Sequence, residues 1–153
     1  MGAYVTILSD VKTNLLAVTN IGNVYDYVRW HKDWPQMLSM FKVTTPTAQL
    51  RFWDISRIAT PEQNKVSKEN ARQHNFRIRG FMSLDDSAAT EKTFQELLEA
   101  VCTKFRNKPT FSGTVVDVQP VQINSVSHAM VGDVLCHMAE CTLIVEDEIT
   151  WTE

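Results

Sequence analysis

The chain has 153 residues, 44% of them hydrophobic and 22% charged, with a net charge of −3; this predicts one domain over residues 1–153 with enough apolar matter for a real core. No apolar run approaches the roughly 20 residues of a membrane helix, and Met1-Gly2-Ala3-Tyr4 lacks the basic start and greasy run of a signal peptide, so the expected site of synthesis and residence is a cytoplasm, with no membrane partner. Cys102, Cys136 and Cys141 are odd in number for a disulfide framework and read as buried structural thiols.

Taken in order, Tyr4, Ile7, Leu8, Val11, Leu15 and Val18 recur every three or four residues and predict an amphipathic helix over residues 3–18, ended by Asn20 and Gly22. Residues 23–30 are rich in Val, Tyr and Trp and read as a strand, with Val24 and Val28 on one side. Asp33 then caps a short helix with Pro35 in its first turn, where a missing amide costs nothing, and Met37, Leu38, Met40 and Phe41 give it a greasy side. Thr44-Thr45-Pro46-Thr47 is a break. Residues 49–58 follow as a strand: Leu50, Phe52 and Ile58 share a face with Asp54 and Ser56, while Arg51, Trp53, Ile55 and Arg57 share the other. Neither face is cleanly apolar, which predicts an edge or interface strand. Residues 60–72 are polar and nearly free of large apolar groups, so a long mobile loop is expected there.

The clearest pattern comes next. Phe76, Ile78, Gly80 and Met82 alternate with Arg77, Arg79 and Phe81, the period of a half-buried strand. Leu84-Asp85-Asp86-Ser87 supplies turn and cap oxygens for a helix whose stripe is Phe94, Leu97, Leu98, Val101 and Phe105, with Lys104, Arg106 and Lys108 at its end before Pro109 stops it. Residues 109–113 read as a turn, 114–126 as an edge or bulged strand interrupted by Pro120, and 127–132 as a loop. A last strand covers residues 134–146, with Cys136 and Cys141 five apart and therefore on opposite faces; residues 147–153 are expected to be a loose acidic end unless Ile149 and Trp151 anchor it. The order predicts an α+β fold, a mostly antiparallel sheet with helices packed on one face, and not a Rossmann-type fold.

Reaction chemistry finds little support. There is no phosphate-binding glycine loop, the four histidines stand at no helical metal spacing, and neighbours Cys136 and His137 face opposite ways on a strand, so no enzyme, cofactor or metal is expected. Arg51, Arg57, Arg77 and Arg79 are read as a basic stripe across adjacent strands, facing either DNA phosphate or a neighbouring subunit; Trp53 and Phe81 beside them favour protein. All fifteen Lys and Arg lie in residues 1–108 with eleven Asp and Glu, a balance of +4, whereas residues 109–153 hold seven acidic groups and no basic one. Two readings fit: a solvated acidic tail, or basic and acidic flanks of successive copies meeting head to tail.

Several segments, in order, resemble phage tail-completion proteins, the group that includes tail terminators similar to the lambda minor tail protein U. They are Ile21-Gly22-Asn23-Val24-Tyr25-Asp26, Arg51-Phe52-Trp53-Asp54-Ile55-Ser56-Arg57, His74-Asn75-Phe76-Arg77-Ile78-Arg79-Gly80, the helix from Phe94 to Phe105, and a β-rich acidic end. The resemblance implies a non-enzymatic virion protein at the tail–neck junction. Its members form a ring, usually hexameric, that caps the tail tube, ends polymerisation and offers a surface to head or neck. The implied partners are further copies of the chain, tube protein and a neck or connector protein, with DNA only as cargo passing through the lumen. The charge division, rather than matched family positions, then assigns Arg51, Trp53, Arg57, Arg77, Arg79, Glu146, Asp147 and Glu148 to subunit or lumen contacts. The loop bearing Lys65, Lys68 and Arg72 becomes the arm for tube or neck. A head–tail connector subunit is the alternative, and a DNA-binding protein using the arginine face a more distant one.

Overall fold

The apolar stripes of the two long helices meet on one side of a curled sheet. The computed structural model describes residues 3–29, 33–43, 49–107, 110–113 and 115–151. Helix α1 (Ala3–Leu16) buries Ile7, Leu8, Val11 and Leu15, as its spacing predicts. Asn20 and Gly22 follow with φ of 61° and 87°, left-handed conformations that reverse the chain. Gly22 is doubly constrained, because a Cβ there would lie 2.6 Å from the carbonyl oxygen of Arg51.

Strand β1 (Asn23–Tyr25) is shorter than the predicted strand over 23–30, since only these three residues find a partner. Helix α2 (Trp34–Phe41) has Pro35 in its first turn as expected; Asp33 is its N-cap residue, but the carboxylate makes no capping bond. β2 (Lys42–Val43) leads to the predicted break, which lies outside the described residues. The strand β3 (Gln49–Ala59) is flanked by β1 on one side and β5 (Glu69–Ser83) on the other, so it is interior and not an edge. Its mixed faces have a different cause: from Leu50 to Ile55 both are covered, Trp53 and Ile55 by the long helices and Leu50 and Phe52 by α2, and only the end from Arg57 to Ala59 is exposed.

Residues 60–72 are not a loop. They form β4 (Glu62–Val66), a tight turn at Ser67 and Lys68, and the start of β5. Backbone pairing holds a strand even where neither face is apolar, and here cross-strand polar bonds assist it: Asn64 Nδ2 donates to Asn70 Oδ1 at 3.1 Å, and Asn70 Nδ2 to Glu62 Oε1 at 2.8 Å. Lys68 takes the turn's left-handed position at φ 65°.

Helix α3 (Thr90–Arg106) buries the predicted stripe of Phe94, Leu97, Leu98, Val101 and Phe105. The oxygens expected to cap it close the turn instead: Asp85 Oδ1 accepts from the Ser87 hydroxyl at 2.7 Å, and left-handed Ala89 occupies the N-cap. After a single 3-10 turn at Phe111–Gly113 come β6 (Asp117–Val118), β7 (Gln122–Val131) and β8 (Val134–Thr150). Pro120 separates β6 from β7, and a bulge sits between Ile123 and Ser125. Two expectations are corrected here. Residues 127–131 are strand rather than loop, and the acidic end is not loose through Thr150, because β8 pairs with β5 as far as Glu69 opposite Thr150.

The fold is α+β: among the described residues, three helices and an eight-stranded, mostly antiparallel, curled half-barrel sheet of order β1-β3-β5-β8-β6, with β2, β4 and β7 on side branches. Among the described residues only the β1–β3 pair is parallel. α1 and α3 cover one face over Phe76, Ile78, Leu143 and Val145; the short α2 lies against the other, over Phe52 and Phe81. Cys141 belongs to the first core and Cys136 to the second, as their odd spacing requires. Among the described residues no helix is long and apolar enough to cross a membrane.

Candidate functional site

The four arginines do not form a stripe. In the β3–β5 register Arg51 stands opposite Met82 and Arg57 opposite Phe76, on the helix-covered face, whereas Arg77 and Arg79 stand opposite Ser56 and Asp54, on the other face. Residues directly opposite in an antiparallel pair share a face, so the register divides the four into two pairs. Arg51 is buried, which lowers the pKa of its guanidinium. Arg79 is spent on Asp54, Nε to Oδ1 at 2.9 Å and Nη2 to Oδ2 at 2.6 Å, a forked pair that raises the guanidinium pKa against the cost of burial. Trp53 is no interface residue either: it is fully buried, and its Nε1 donates to the carbonyl of Ile21 at 2.9 Å.

The residues assigned to separate contacts at the acidic end and the basic arm are bound to one another. β5 and β8 overrun the apolar core and, with β4, make a three-stranded polar arm. On the helix-side face of its base, Arg72 Nε and Nη2 grip the two oxygens of Asp147 at 3.0 and 2.5 Å. His74, fully buried, completes the cluster with Nε2 3.0 Å from Asp147 Oδ1 and Nδ1 3.2 Å from Arg57 Nη1. One neutral tautomer serves both contacts: Arg57 donates to Nδ1 and Nε2–H donates to the carboxylate. Arg57 also lies over the Tyr4 ring at 4.2 Å, tying the cluster to α1. Burial pushes the His74 pKa down, and the neighbouring Asp147 only partly opposes this. Burial pushes Asp147 up, but the hydrogen bonds and charges of Arg72 and His74 outweigh it and leave the carboxyl below its ordinary value.

On the opposite side of the arm Lys65 pairs with Glu148, and Glu146 lines a hollow with Pro61, Gln63 and Lys65. Lys65 and Arg72 therefore pair with Glu148 and Asp147 within one chain, which neutralises two of the seven acidic residues of 109–153 without a neighbouring copy. The arm is exposed along all of β4, and its tip carries Lys68 in the turn, Val66 at 57% exposure, and Trp151 at 42%, whose amide donates to the Lys68 carbonyl at 3.2 Å.

Two further sites escaped the sequence reading. Phe41, Phe52 and Phe81 stack at centroid separations of 3.8 and 4.7 Å beside the Arg79–Asp54 pair, lining a hollow of about 200 Å³. At the start of α3, buried His137 meets Thr90 Oγ1 through Nε2 at 2.8 Å, with exposed His128 5.4 Å away ring to ring. The signal for His74 and Asp147 was present but unread: His74 is in phase with Phe76 and Ile78, and Asp147 with Leu143 and Val145, so each is a polar group on an otherwise apolar row. Among the described residues no three His, Cys, Asp or Glu converge as a metal site. No protein-family model matches the chain, and no curated protein matches it by sequence.

Proposed function

We propose that the protein is a structural phage subunit that closes into a ring on the end of the tail tube, stops the tube growing and presents the surface to which head or neck joins. The family resemblance of the segments quoted above suggests this role, and the arm is the observation that carries it. A polar ribbon that leaves the core and is stiffened at its base by Arg72, His74 and Asp147 supports a subunit that reaches a neighbour. Its exposed tip of Val66, Lys68 and Trp151 offers both apolar area and charge to that neighbour. The splitting of the arginines removes the continuous basic face on which a DNA-binding role rested.

The test mixes the purified protein with polymerising tube protein encoded in the same gene cluster and follows tube length by electron microscopy. Blunted tubes carrying a terminal ring, and loss of that effect when Val66→Ser and Lys68→Glu are combined, support the proposal. Tubes that grow unchanged, with no density at their ends, overturn it. Binding to isolated heads but not tails moves the protein to the neck.

A further inference from the structure

Every strand with a single neighbour leaves one row of backbone amides and carbonyls unused, and a protein that stays alone blunts such edges with shortness, charge or proline. Among the described residues five strands have one neighbour. β1, β2 and β6 span three, two and two residues, and β4 spans five and carries Glu62 and Lys65. β7 is different. It runs ten residues, Gln122–Val131, with no Asp, Glu, Lys, Arg or Pro in it, and its one irregularity is the bulge at its start.

Its exposed side chains add to this. Val126 and Met130 stand opposite Ala139 and Leu135 of β8, and exposures of 37% for Val126, 60% for Met130 and 44% for Leu135 leave apolar side chains open on either side of His128 along the edge. We propose that β7 pairs antiparallel with β7 of a second copy, joining the two sheets edge to edge in a closed two-fold dimer. A second copy fits because a strand without charge meets no like charge when it meets itself, and because each copy brings the same length and the same apolar row. Strand alternation restricts the register to those that keep like faces together. Centring the two-fold on His128 does so, setting Val126 against the partner's Met130 on both sides and His128 against the partner's His128. A two-fold pair cannot extend itself into a ring, so this is a state of the free protein, independent of the tube-capping proposal, and either can fail alone.

The experiment measures mass by sedimentation over a wide concentration range for wild type, His128→Lys, His128→Glu and an equal mixture of the two variants, with circular dichroism to check folding. The expected result is a wild-type dimer, two variants that are each at least ten-fold weaker in self-association, and recovery of a dimer in the mixture, where the charges at the two-fold are opposite. Hydrogen exchange on wild type gives a second readout: amides of residues 125–131 gain protection as concentration rises. A wild-type monomer at all concentrations with unchanged exchange overturns the proposal. So does a wild-type oligomer that both folded variants leave intact, or one that the mixture fails to restore. Should neither variant fold, exchange in wild type decides: no concentration-dependent protection in β7 overturns the pairing.

Discussion

The indole of Trp53 fills the space that a side chain at position 80 would need. The two residues are direct cross-strand partners on β3 and β5, and a Cβ built on Gly80 would lie 2.4 Å from Cζ3 and 2.6 Å from Cη2 of that ring. The ring has no room to retreat, being fully buried, 6.2 Å from the Phe94 centroid, and held by its bond to Ile21. Replacement Gly80→Ala should cost about 3 kcal/mol, the upper range for overpacking. In a Trp53→Leu background the penalty should largely vanish, a coupling that denaturant unfolding of the four proteins measures.

The Asp147 cluster should govern the arm. Asp147→Asn leaves Arg72 and His74 facing a neutral amide and is expected to cost roughly 2–3 kcal/mol, below the roughly 3–5 kcal/mol of a fully buried pair because Arg72 reaches solvent. The loss should appear in hydrogen exchange as faster opening of β4 and the outer part of β5, while Lys65→Ala, at an exposed pair, should leave the unfolding midpoint unchanged.

Acid should loosen the fold in two stages. His74, facing Arg57, Arg72 and Asp147, and His137, facing His128 and Glu91, both titrate below their ordinary value of 6.5, chiefly because burial disfavours the charged ring. Below pH 6.5 the unfolded chain takes up protons that the folded one does not, so stability is full above that pH and falls as the pH drops. Asp147, lowered from 3.8, adds a second loss as the pH falls through its range. A melting temperature that declines from pH 7.5 to 5, with a shallower slope in His137→Gln, is the expected outcome; a flat profile counts against the buried neutral rings.

The three thiols should be silent in the native protein. All are buried; desolvation pushes Cys136 up to about 11 and Cys141 up to about 12, and raises Cys102 as well. A chromogenic disulfide reagent at pH 8 should therefore titrate none of them before denaturant is added and all three afterwards.

Removing the middle ring of the Phe41–Phe52–Phe81 stack should release α2. Phe52→Ala is expected to cost about 3–5 kcal/mol and to weaken the near-ultraviolet circular dichroism, since its ring touches aromatic neighbours on both sides.

Periodicity was enough to locate α1, α3, the core half of β5 and most of β8, because in each an apolar row repeats at the spacing of its own element: Ile7, Val11 and Leu15; Phe94, Leu98, Val101 and Phe105; Phe76, Ile78 and Met82. It failed where pairing is made by backbone alone. Glu62–Val66 and the stretch from Ser127 to Val131 carry little apolar alternation, and their strand character comes from β5 and β8 lying alongside. It failed also where a strand is buried on both faces, as β3 is from Leu50 to Ile55, since Asp54 and Arg51 made an interior strand look like a border.

By itself, the order of residues determined the α+β class, the two helix-facing apolar rows and the opposite placement of Cys136 and Cys141, since each follows from a local repeat of 3.6 or 2. Only the tertiary structure decided which charges meet. Whether Arg79 finds Asp54, whether Arg72 finds Asp147 across 75 residues of sequence, and whether four arginines share a face all depend on strand register. A slip of one residue turns every side chain of a strand over, and no local pattern records how two distant strands are aligned.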